Sequence, residues 1–295
     1  MTEQTKKTVG LIGGGSMGSR MIGRLTECGW EVILSDRNPK VQERAKSLGA
    51  KIAESNVALT EQTDVILVSL PHPDISKAVA KEVADHLKPG MVWLETCTIL
   101  PQDAREIAEI VTKNGADMLE CPILGAPVSV GKWTMIAGGK EDVLERVREV
   151  LMCLCTRVVR AGDIGSGNSV KLLNNTMYAA INTSISEVMT IADKAGVDKS
   201  IFYEIVANSE AATNCHLFRL SGKRIVDGDF GNSATSTSLI CKDNNLGVQF
   251  ARSVGINPLL AGLTLNIYEN ATANGLGDLD NAALYQYLHQ VYMGK

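Results

Sequence analysis

Four polar residues recur at helical spacing just past the middle of this 295-residue chain. Lys171, Asn175, Tyr178 and Asn182 follow one another at i, i+4, i+7 and i+11, which places them on one face of a helix. The stretch from Leu172 to Ser186 contains no charged residue, so this helix should be buried around most of its circumference. A lysine at the head of such a helix, with an amide one turn later, is a candidate for proton transfer.

Lys171 has a functional and a structural interpretation. A lysine in a closed, partly dry site loses some of its preference for the charged form, so its pKa falls toward the working pH. It can then protonate the oxygen of a carbonyl that is being reduced, or remove that proton in reverse, while Asn175 holds the lysine or the substrate oxygen. In the structural interpretation Lys171 points to solvent from the first helical turn, and its methylene stem covers apolar surface.

The elements around this helix predict two domains. Gly165 and Gly167 form a flexible entry, Asn168 or Ser169 is the predicted N-cap, and Gly196 ends the helix. Before it, short apolar runs alternate with helical patterns; after it, only helical patterns occur. We therefore predict an α/β protein, with a Rossmann-type doubly wound parallel sheet in residues 1–163 and an all-α domain in residues 164–295.

A glycine-rich segment follows the first predicted strand. Thr8 to Ile12 is an apolar run, and the next residues match G-x-G-x-x-G at Gly13, Gly15 and Gly18. In dinucleotide-binding folds the first glycine makes a tight turn, the second lets the backbone approach the pyrophosphate, and the third packs the helix on the strand. Ser16 and Met17 then begin a helix whose N-terminus favours an anion.

Asp36 ends the second predicted strand, about twenty residues after the glycines, where a carboxylate can accept both ribose hydroxyls of NAD. Arg37 follows and could instead meet a 2′-phosphate, so NADP stays open as the cofactor. Asp36 could also simply form the turn before Asn38 and Pro39.

Composition excludes several other classes. The net charge of −4 with both signs interspersed argues against a nucleic-acid or anionic-membrane surface. A polar start and the lack of a long apolar run predict a cytoplasmic protein without a membrane span. Seven scattered cysteines fit reduced thiols, and neither they nor the four histidines have metal-ligand spacing, so we expect no metal site.

Five motifs in order resemble the β-hydroxyacid dehydrogenase family, which includes 3-hydroxyisobutyrate dehydrogenase, over nearly the whole chain. Besides the glycine segment, they are Leu70-Pro71, Thr96-Cys97-Thr98 with Pro101, Gly165-x-Gly167-x-x-x-Lys171-x-x-Asn174-Asn175, and Lys242-Asp243. The resemblance implies an NAD(P)-dependent dehydrogenase in which Lys171 is the catalytic acid/base. It also implies that Leu70, Pro71 and Thr98 lie against the cofactor and that Lys242 lies near the nicotinamide.

The chain departs from the family at the substrate motif. Where the family has Asp-Ala-Pro-Val-Ser-Gly, this chain has Glu120-Cys121-Pro122-Ile123-Leu124-Gly125. Leu124 thus replaces the serine that helps to hold the substrate carboxylate. Backbone N–H groups at Gly125 and Ala126 could hold it instead, with donors from polar loops around Asn214 and Ser233–Ser238. The segment Gly231–Ser238 is either a lid or part of the substrate pocket, or else a solvated linker.

These observations predict hydride transfer between NAD and a short anionic β-hydroxyacid or its aldehyde. Two alternatives stay open: an imine reductase-like enzyme, although such enzymes usually lack the lysine, and a non-catalytic NAD-binding module, which Leu124 would favour. The predicted helix of about 28 residues, whose central part is uncharged, spans ~42 Å, more than a small helical domain is wide. We therefore expect a second subunit to cover part of it, in a homodimer or homotetramer.

Overall fold

The structure, a computed structural model, describes residues 7–231 and 235–294. The chain divides into two compact units, Met1–Lys171 and Leu172–Lys295. The predicted domain boundary between residues 163 and 164 stays a prediction. None of the described helices combines the length and apolar character needed to cross a lipid bilayer.

The first unit is built on a single sheet. Its described strands are β1 (Thr8–Ile12), β2 (Glu31–Ser35), β3 (Lys51–Ile52), β4 (Val65–Val68), β5 (Val92–Glu95), β6 (Asp117–Glu120), β7 (Ile123–Leu124), β8 (Trp133–Gly138) and β9 (Cys155–Gly162). Their order is β3-β2-β1-β4-β5-β6-β8-β7, with β9 beside β8. The order reverses between β1 and β4, which is where such sheets bind dinucleotides. This confirms the predicted Rossmann-type sheet.

The pairing is parallel from β1 to β6, as predicted, whereas β8, for which the sequence predicted no direction, runs antiparallel to β6 and β7 and parallel to β9. The reason is the length of the connection. Only residues 125–132 separate β7 from β8, whereas a parallel return needs a crossover of about a dozen residues or more.

Helices cover both faces of the sheet. They are α1 (Ser16–Glu27), α2 (Pro39–Ser47), α3 (Asn56–Thr60), α4 (Pro73–Val83), α5 (Pro101–Val111) and α6 (Glu141–Leu154). Successive strand residues point to opposite faces of the sheet and pack in two separate hydrophobic cores. Leu67 and Leu94 pack with α1 and α6, whereas Ile66 and Trp93 pack with α4 and α5. The sequence did not predict α3, because five residues are too few to show a helical period.

The second unit is all-helical, as predicted. Helix α7 (Ser166–Lys194) begins in the first unit and continues into the second, followed by α8 (Lys199–Ala207), α9 (Lys223–Asp227), α10 (Thr237–Ser253), α11 (Leu259–Ala271) and α12 (Leu284–Met293). Ala179 of α7 packs in a core with Ile240, Tyr268 and Leu284. Nδ2 of the fully buried Asn182 donates to the hydroxyl of Tyr268 at 2.8 Å. Part of the predicted polar face of α7 is therefore an internal hydrogen-bond network.

Candidate active site

The glycine segment joins β1 to α1 in a conformation that only small residues allow. Gly13 has φ +93°, and a Cβ there would lie 2.3 Å from the carbonyl oxygen of Ser69. A Cβ on Gly18 would lie 2.1 Å from the carbonyl oxygen of Gly13. Gly15 differs, since it is exposed and a Cβ there would meet no atom within 4 Å. The chain thus leaves open space at the glycine that is predicted to face a pyrophosphate.

The first turn of α1 carries no negatively charged side chain. Gly15 is the N-cap, no side chain accepts a hydrogen bond there, and the first turn, which begins with Ser16 and Met17, contains no acidic residue. The first N–H groups of a helix lack intrahelical partners and carry partial positive charge. This arrangement fits the pyrophosphate of a dinucleotide.

Asp36 is held at the end of β2 by two backbone donors. Its Oδ2 accepts from the Gly14 N–H and its Oδ1 from the Asn38 N–H, each at 2.8 Å. The second bond is the turn that the structural interpretation predicted, and the first ties the carboxylate to the glycine segment. Arg37 beside it is exposed. Asp36 therefore lies next to the glycines, as the ribose-binding role requires.

The ends of β4 and β5 are linked to each other. The N–H of Leu70 donates to Sγ of Cys97 at 3.1 Å, and the hydroxyl of Thr96 donates to the Val68 carbonyl at 2.6 Å. Leu70 and Thr98 are partly exposed, and Pro71 is exposed. The structure thus brings the segments of Leu70-Pro71 and Thr98 together at the edge of the sheet where parallel strands bind ligands.

A buried carboxylate that none of the sequence motifs includes lies at the end of β5, below this edge. Glu95 is fully buried and accepts from the Ser76 hydroxyl at 2.5 Å, the Cys97 N–H at 3.1 Å and Nε1 of Trp93 at 3.2 Å. Burial raises the pKa of Glu95, and its hydrogen bonds lower the pKa less than burial raises it. Its sequence signal was an acidic residue that ends an apolar strand.

The substrate motif forms the end of β6, the short β7 and the turn after it. Leu124 is half-buried and pairs with Thr134 of β8. Gly125 has φ +151°, and a Cβ there would lie 2.3 Å from Cδ1 of Trp133. Nε1 of Trp133 donates to the Ala126 carbonyl at 2.8 Å. The indole thus fixes the turn that carries the N–H groups of Gly125 and Ala126.

Lys171 reaches this motif from α7. Its Nζ donates to the Ile123 carbonyl at 2.7 Å, so the ammonium lies against the residue before Leu124. The side chain is neither fully buried nor fully exposed. The structure therefore brings together two segments that are more than forty residues apart and that the sequence analysis assigned to catalysis and substrate binding.

The predicted N-cap of this helix is wrong. Helix α7 begins at Ser166, before both Asn168 and Ser169. Asn168 is fully buried, and its Nδ2 donates to Oε2 of Glu120 at 2.7 Å. A carboxylate from β6 thus replaces the local cap, and sequence spacing could not reveal a contact over 48 residues.

Asn175 and Lys242 meet the same carboxylate in the second unit. Nδ2 of Asn175 donates to Oδ2 of Asp243 at 2.7 Å. Nζ of Lys242 lies 2.9 Å from Oδ1 of Asp243, but not in hydrogen-bonding geometry, since this buried oxygen accepts no hydrogen bond from the described residues. The predicted roles of Asn175 and Lys242 toward substrate and cofactor stay predictions.

Two polar loops of the second unit carry the remaining residues that were predicted to face the substrate. Nδ2 of Asn214 donates to the Ser209 carbonyl at 2.8 Å, and its Oδ1 accepts from Arg219 at 2.7 Å, so its amide is already engaged. Residues 232–234, and with them Ser233 and part of the predicted lid Gly231–Ser238, lie outside the described residues. Across residues 7–231 and 235–294, no group of three or more His, Cys, Asp or Glu side chains is arranged to hold a metal ion.

Comparison with known proteins gives one consistent result. Residues 8–162 match the family model for the NAD binding domain of 6-phosphogluconate dehydrogenase. Residues 165–288 match the model for the NAD-binding region of NADP-dependent 3-hydroxyisobutyrate dehydrogenase.

Individual relatives cover nearly the whole chain. A probable mitochondrial 3-hydroxyisobutyrate dehydrogenase of Dictyostelium discoideum is 30% identical over 98% of this chain and 93% of its own length. An L-threonate dehydrogenase of Escherichia coli is 30% identical over 94% of this chain and 93% of its own. A crystal structure of 3-hydroxyisobutyrate dehydrogenase from Salmonella typhimurium superposes with a TM-score of 0.87 at 27% identity, over 95% of this chain and 99% of its own.

Proposed function

The chain belongs to the β-hydroxyacid dehydrogenase family of NAD(P)-dependent enzymes, and on that premise we propose that it oxidises a short anionic β-hydroxyacid, or reduces the matching semialdehyde, with Lys171 as the general acid/base. The observation that carries this proposal is the 2.7 Å hydrogen bond from Nζ of Lys171 to the Ile123 carbonyl. It anchors the lysine beside the segment in which the family binds its substrate.

The proposed chemistry divides between cofactor and protein. When bound, NAD supplies the carbon that accepts the hydride. In the oxidation direction the neutral amine of Lys171 accepts the hydroxyl proton of the substrate, and in reduction the ammonium returns it. The Ile123 carbonyl restricts the position of Nζ, so the proton acceptor is held before the substrate arrives. A positioned acid/base of this kind contributes about 10²–10⁴-fold to the rate.

The relatives and the turn after β7 support a hydroxycarboxylate as the proposed substrate. The relatives are named for 3-hydroxyisobutyrate and L-threonate, both of them hydroxycarboxylates. In this chain Leu124 offers no side-chain donor, whereas the backbone at Gly125 and Ala126 is exposed. We propose that these N–H groups bind the substrate carboxylate, since adjacent backbone donors can hold a small oxyanion.

NAD is the proposed cofactor, in preference to NADP. The carboxylate of Asp36 is fixed by Gly14 and Asn38, each at 2.8 Å, at the strand end where ribose hydroxyls bind. A fixed negative charge there repels the 2′-phosphate of NADP. Arg37 is exposed, and in this proposal it does not reverse that preference.

A second copy of the chain is the proposed cover for α7. Leu173, Met177, Val188 and Ile191 are 62%, 59%, 42% and 55% exposed, and they lie within about 60° of arc on the helix. The sequence predicted that this helix would be largely buried. In the single chain, however, this apolar face is exposed to solvent. An apolar stripe of such length is typical of a subunit interface.

A substrate panel tests the proposed function. Purified protein is assayed with NAD and with NADP against 3-hydroxyisobutyrate, L-threonate and D-glycerate. In reverse it is assayed with NADH and with NADPH against semialdehydes and cyclic imines, and both directions are followed by nicotinamide absorbance. We expect turnover of at least one hydroxyacid with NAD. Turnover of imines alone would support the imine reductase alternative. Binding of NADH without turnover of any substrate would support the non-catalytic alternative.

A further inference from the structure

The carboxylate of Glu120 is the structural cap of α7. Glu120 ends β6 and is fully buried. Its Oε1 accepts from the N–H groups of Gly165 at 2.6 Å and Gly167 at 2.8 Å. Its Oε2 accepts from Nδ2 of Asn168 at 2.7 Å and, more weakly, from the Asn168 N–H at 3.4 Å. Burial raises the pKa of Glu120, and these four donors favour its ionised form.

The surrounding backbone leaves space for a side chain of this length. A Cβ on Gly138 would lie 2.1 Å from Oε1 of Glu120. A Cβ on Gly167 would lie 2.7 Å from the Ile136 carbonyl oxygen and 3.3 Å from Cδ of Glu120. Two glycines, one on β8 and one in the first turn of α7, therefore allow the carboxylate to reach the helix backbone. This close fit leaves the helix start little freedom to shift.

The same strand end also holds the lysine. Glu120 binds the first turn of α7, and Ile123, three residues further along the chain, accepts from Nζ of Lys171 at 2.7 Å. Lys171 follows Gly167 by four residues, about one helical turn. The carboxylate thus sets the position from which the lysine side chain reaches the Ile123 carbonyl.

Asn168 extends this network to the loop after β5. Its Nδ2 donates to Glu120, while its Oδ1 accepts from the Ile99 N–H at 3.1 Å. This orientation of the amide satisfies both neighbours only if the side chain at position 120 is an acceptor. By fixing the orientation of the Asn168 amide, the side chain at position 120 therefore also determines whether α7 is hydrogen-bonded to Ile99, next to Thr98.

We propose that Glu120 is a positioning residue for the reaction: by binding the first turn of α7, it holds Lys171 where Nζ can exchange a proton with the substrate. This inference rests on the proposed role of Lys171. It assigns to Glu120 a function that acts through the lysine and needs no contact with substrate.

A double-mutant cycle with Lys171→Ala tests this inference, with kcat measured per folded protein on the best substrate of the panel. Glu120→Gln places an NH₂ group among N–H donors, and we expect kcat to fall about tenfold to a hundredfold, with a smaller change in KM. In the Lys171→Ala background the same substitution should cost less than about threefold, because residues that act as a unit are not additive. Glu95→Gln removes an equally buried carboxylate, which is the neighbour of Glu120 on β5 but is hydrogen-bonded to Ser76, Trp93 and Cys97 and not to α7. It should therefore have the same effect in both backgrounds.

Equal losses from Glu120→Gln in both backgrounds would overturn the inference, since a purely structural role does not depend on the lysine. Near-parental turnover by Lys171→Ala alone would instead refute the proposed function. If Glu120→Gln folds poorly, or if the turnover of Lys171→Ala is too low to measure, a rescue variant tests the inference instead. Adding Asn168→Asp to Glu120→Gln provides an acceptor for both the new NH₂ group and the Ile99 N–H. We expect kcat to recover; recovery of Tm without kcat would contradict the inference.

Discussion

Three alanine substitutions along one short segment should have three different outcomes. Gly15→Ala adds a methyl group where no atom lies within 4 Å, so the protein should lose at most about 1 kcal/mol of stability, the usual cost of alanine at an N-cap. The methyl group would occupy the space into which the pyrophosphate fits. We expect the Kd for NADH to rise about tenfold to a hundredfold, which is ~1.4–2.8 kcal/mol of binding free energy.

Gly18→Ala and Gly23→Ala are the matched controls on α1. At Gly18 the methyl carbon would lie 2.1 Å from the Gly13 carbonyl oxygen, and such overpacking costs about 1–3 kcal/mol. At Gly23 the nearest atom is Cδ2 of Leu48 at 3.7 Å, and alanine should stabilise the helix by about 0.5–1 kcal/mol.

Urea unfolding and NADH fluorescence titration separate the three variants. We expect Gly15→Ala to lose binding with stability nearly intact, Gly18→Ala to lose stability, and Gly23→Ala to keep its binding and gain stability. If Gly15→Ala bound NADH as tightly as the parent, the pyrophosphate would not lie at this helix N-terminus, and the assignment of the cofactor site would be refuted.

Three further predictions concern substrate, assembly and pH. Leu124→Ser should raise kcat/KM for 3-hydroxyisobutyrate or D-glycerate about tenfold to a hundredfold, because it adds the missing donor to a carboxylate; if neither value changes, Leu124 does not face the substrate. Leu173→Glu with Met177→Glu should yield monomers in sedimentation velocity, whereas Ile75→Glu, at an apolar residue of α4 that is 44% exposed, should not; a parent protein that is already monomeric at micromolar concentration would refute the proposed interface. Burial raises the pKa of Glu95, so its contribution to stability is complete below the ordinary carboxyl pKa and is lost as the pH rises through the raised value. In this pH range the unfolding free energy of the parent should decline by up to about 1.4 kcal/mol per pH unit, and Glu95→Gln should remove that decline. Urea unfolding at several pH values measures it, and the same pH dependence in parent and variant would contradict the raised pKa of Glu95.

Local features of the fold followed from the sequence because neighbouring residues determine them. The strand, glycine segment and helix from Thr8 to Glu27 form a continuous pattern, and the positive φ of Gly13 follows from its place in that pattern. The antiparallel β8 was missed because a short connection, rather than the strand itself, sets its direction. Helix α3 was not predicted because its five residues are too few to show a helical repeat of apolar residues.

The hydrogen bonds that hold the candidate site together were less predictable, because they join segments that are far apart in the sequence. The motifs contained Lys171 and Leu124, but no spacing rule connects Glu120 to Gly165, which are 45 residues apart. Asn168 appeared to be a local helix cap because asparagine often has that role. In the folded chain a carboxylate from the sheet binds the helix start, and the Asn168 amide is free to bridge Glu120 and Ile99.

The turnover of Lys171→Ala on the best hydroxyacid of the panel tests the central claim most directly. NADH affinity should be measured on the same sample, because Lys171 is proposed to act on the substrate proton and not to bind the cofactor. We predict that kcat falls by about 10²–10⁴-fold while the Kd for NADH stays within a few-fold of the parent value. A variant that binds NADH normally and turns over at a near-parental rate would contradict the role of Lys171 as the general acid/base.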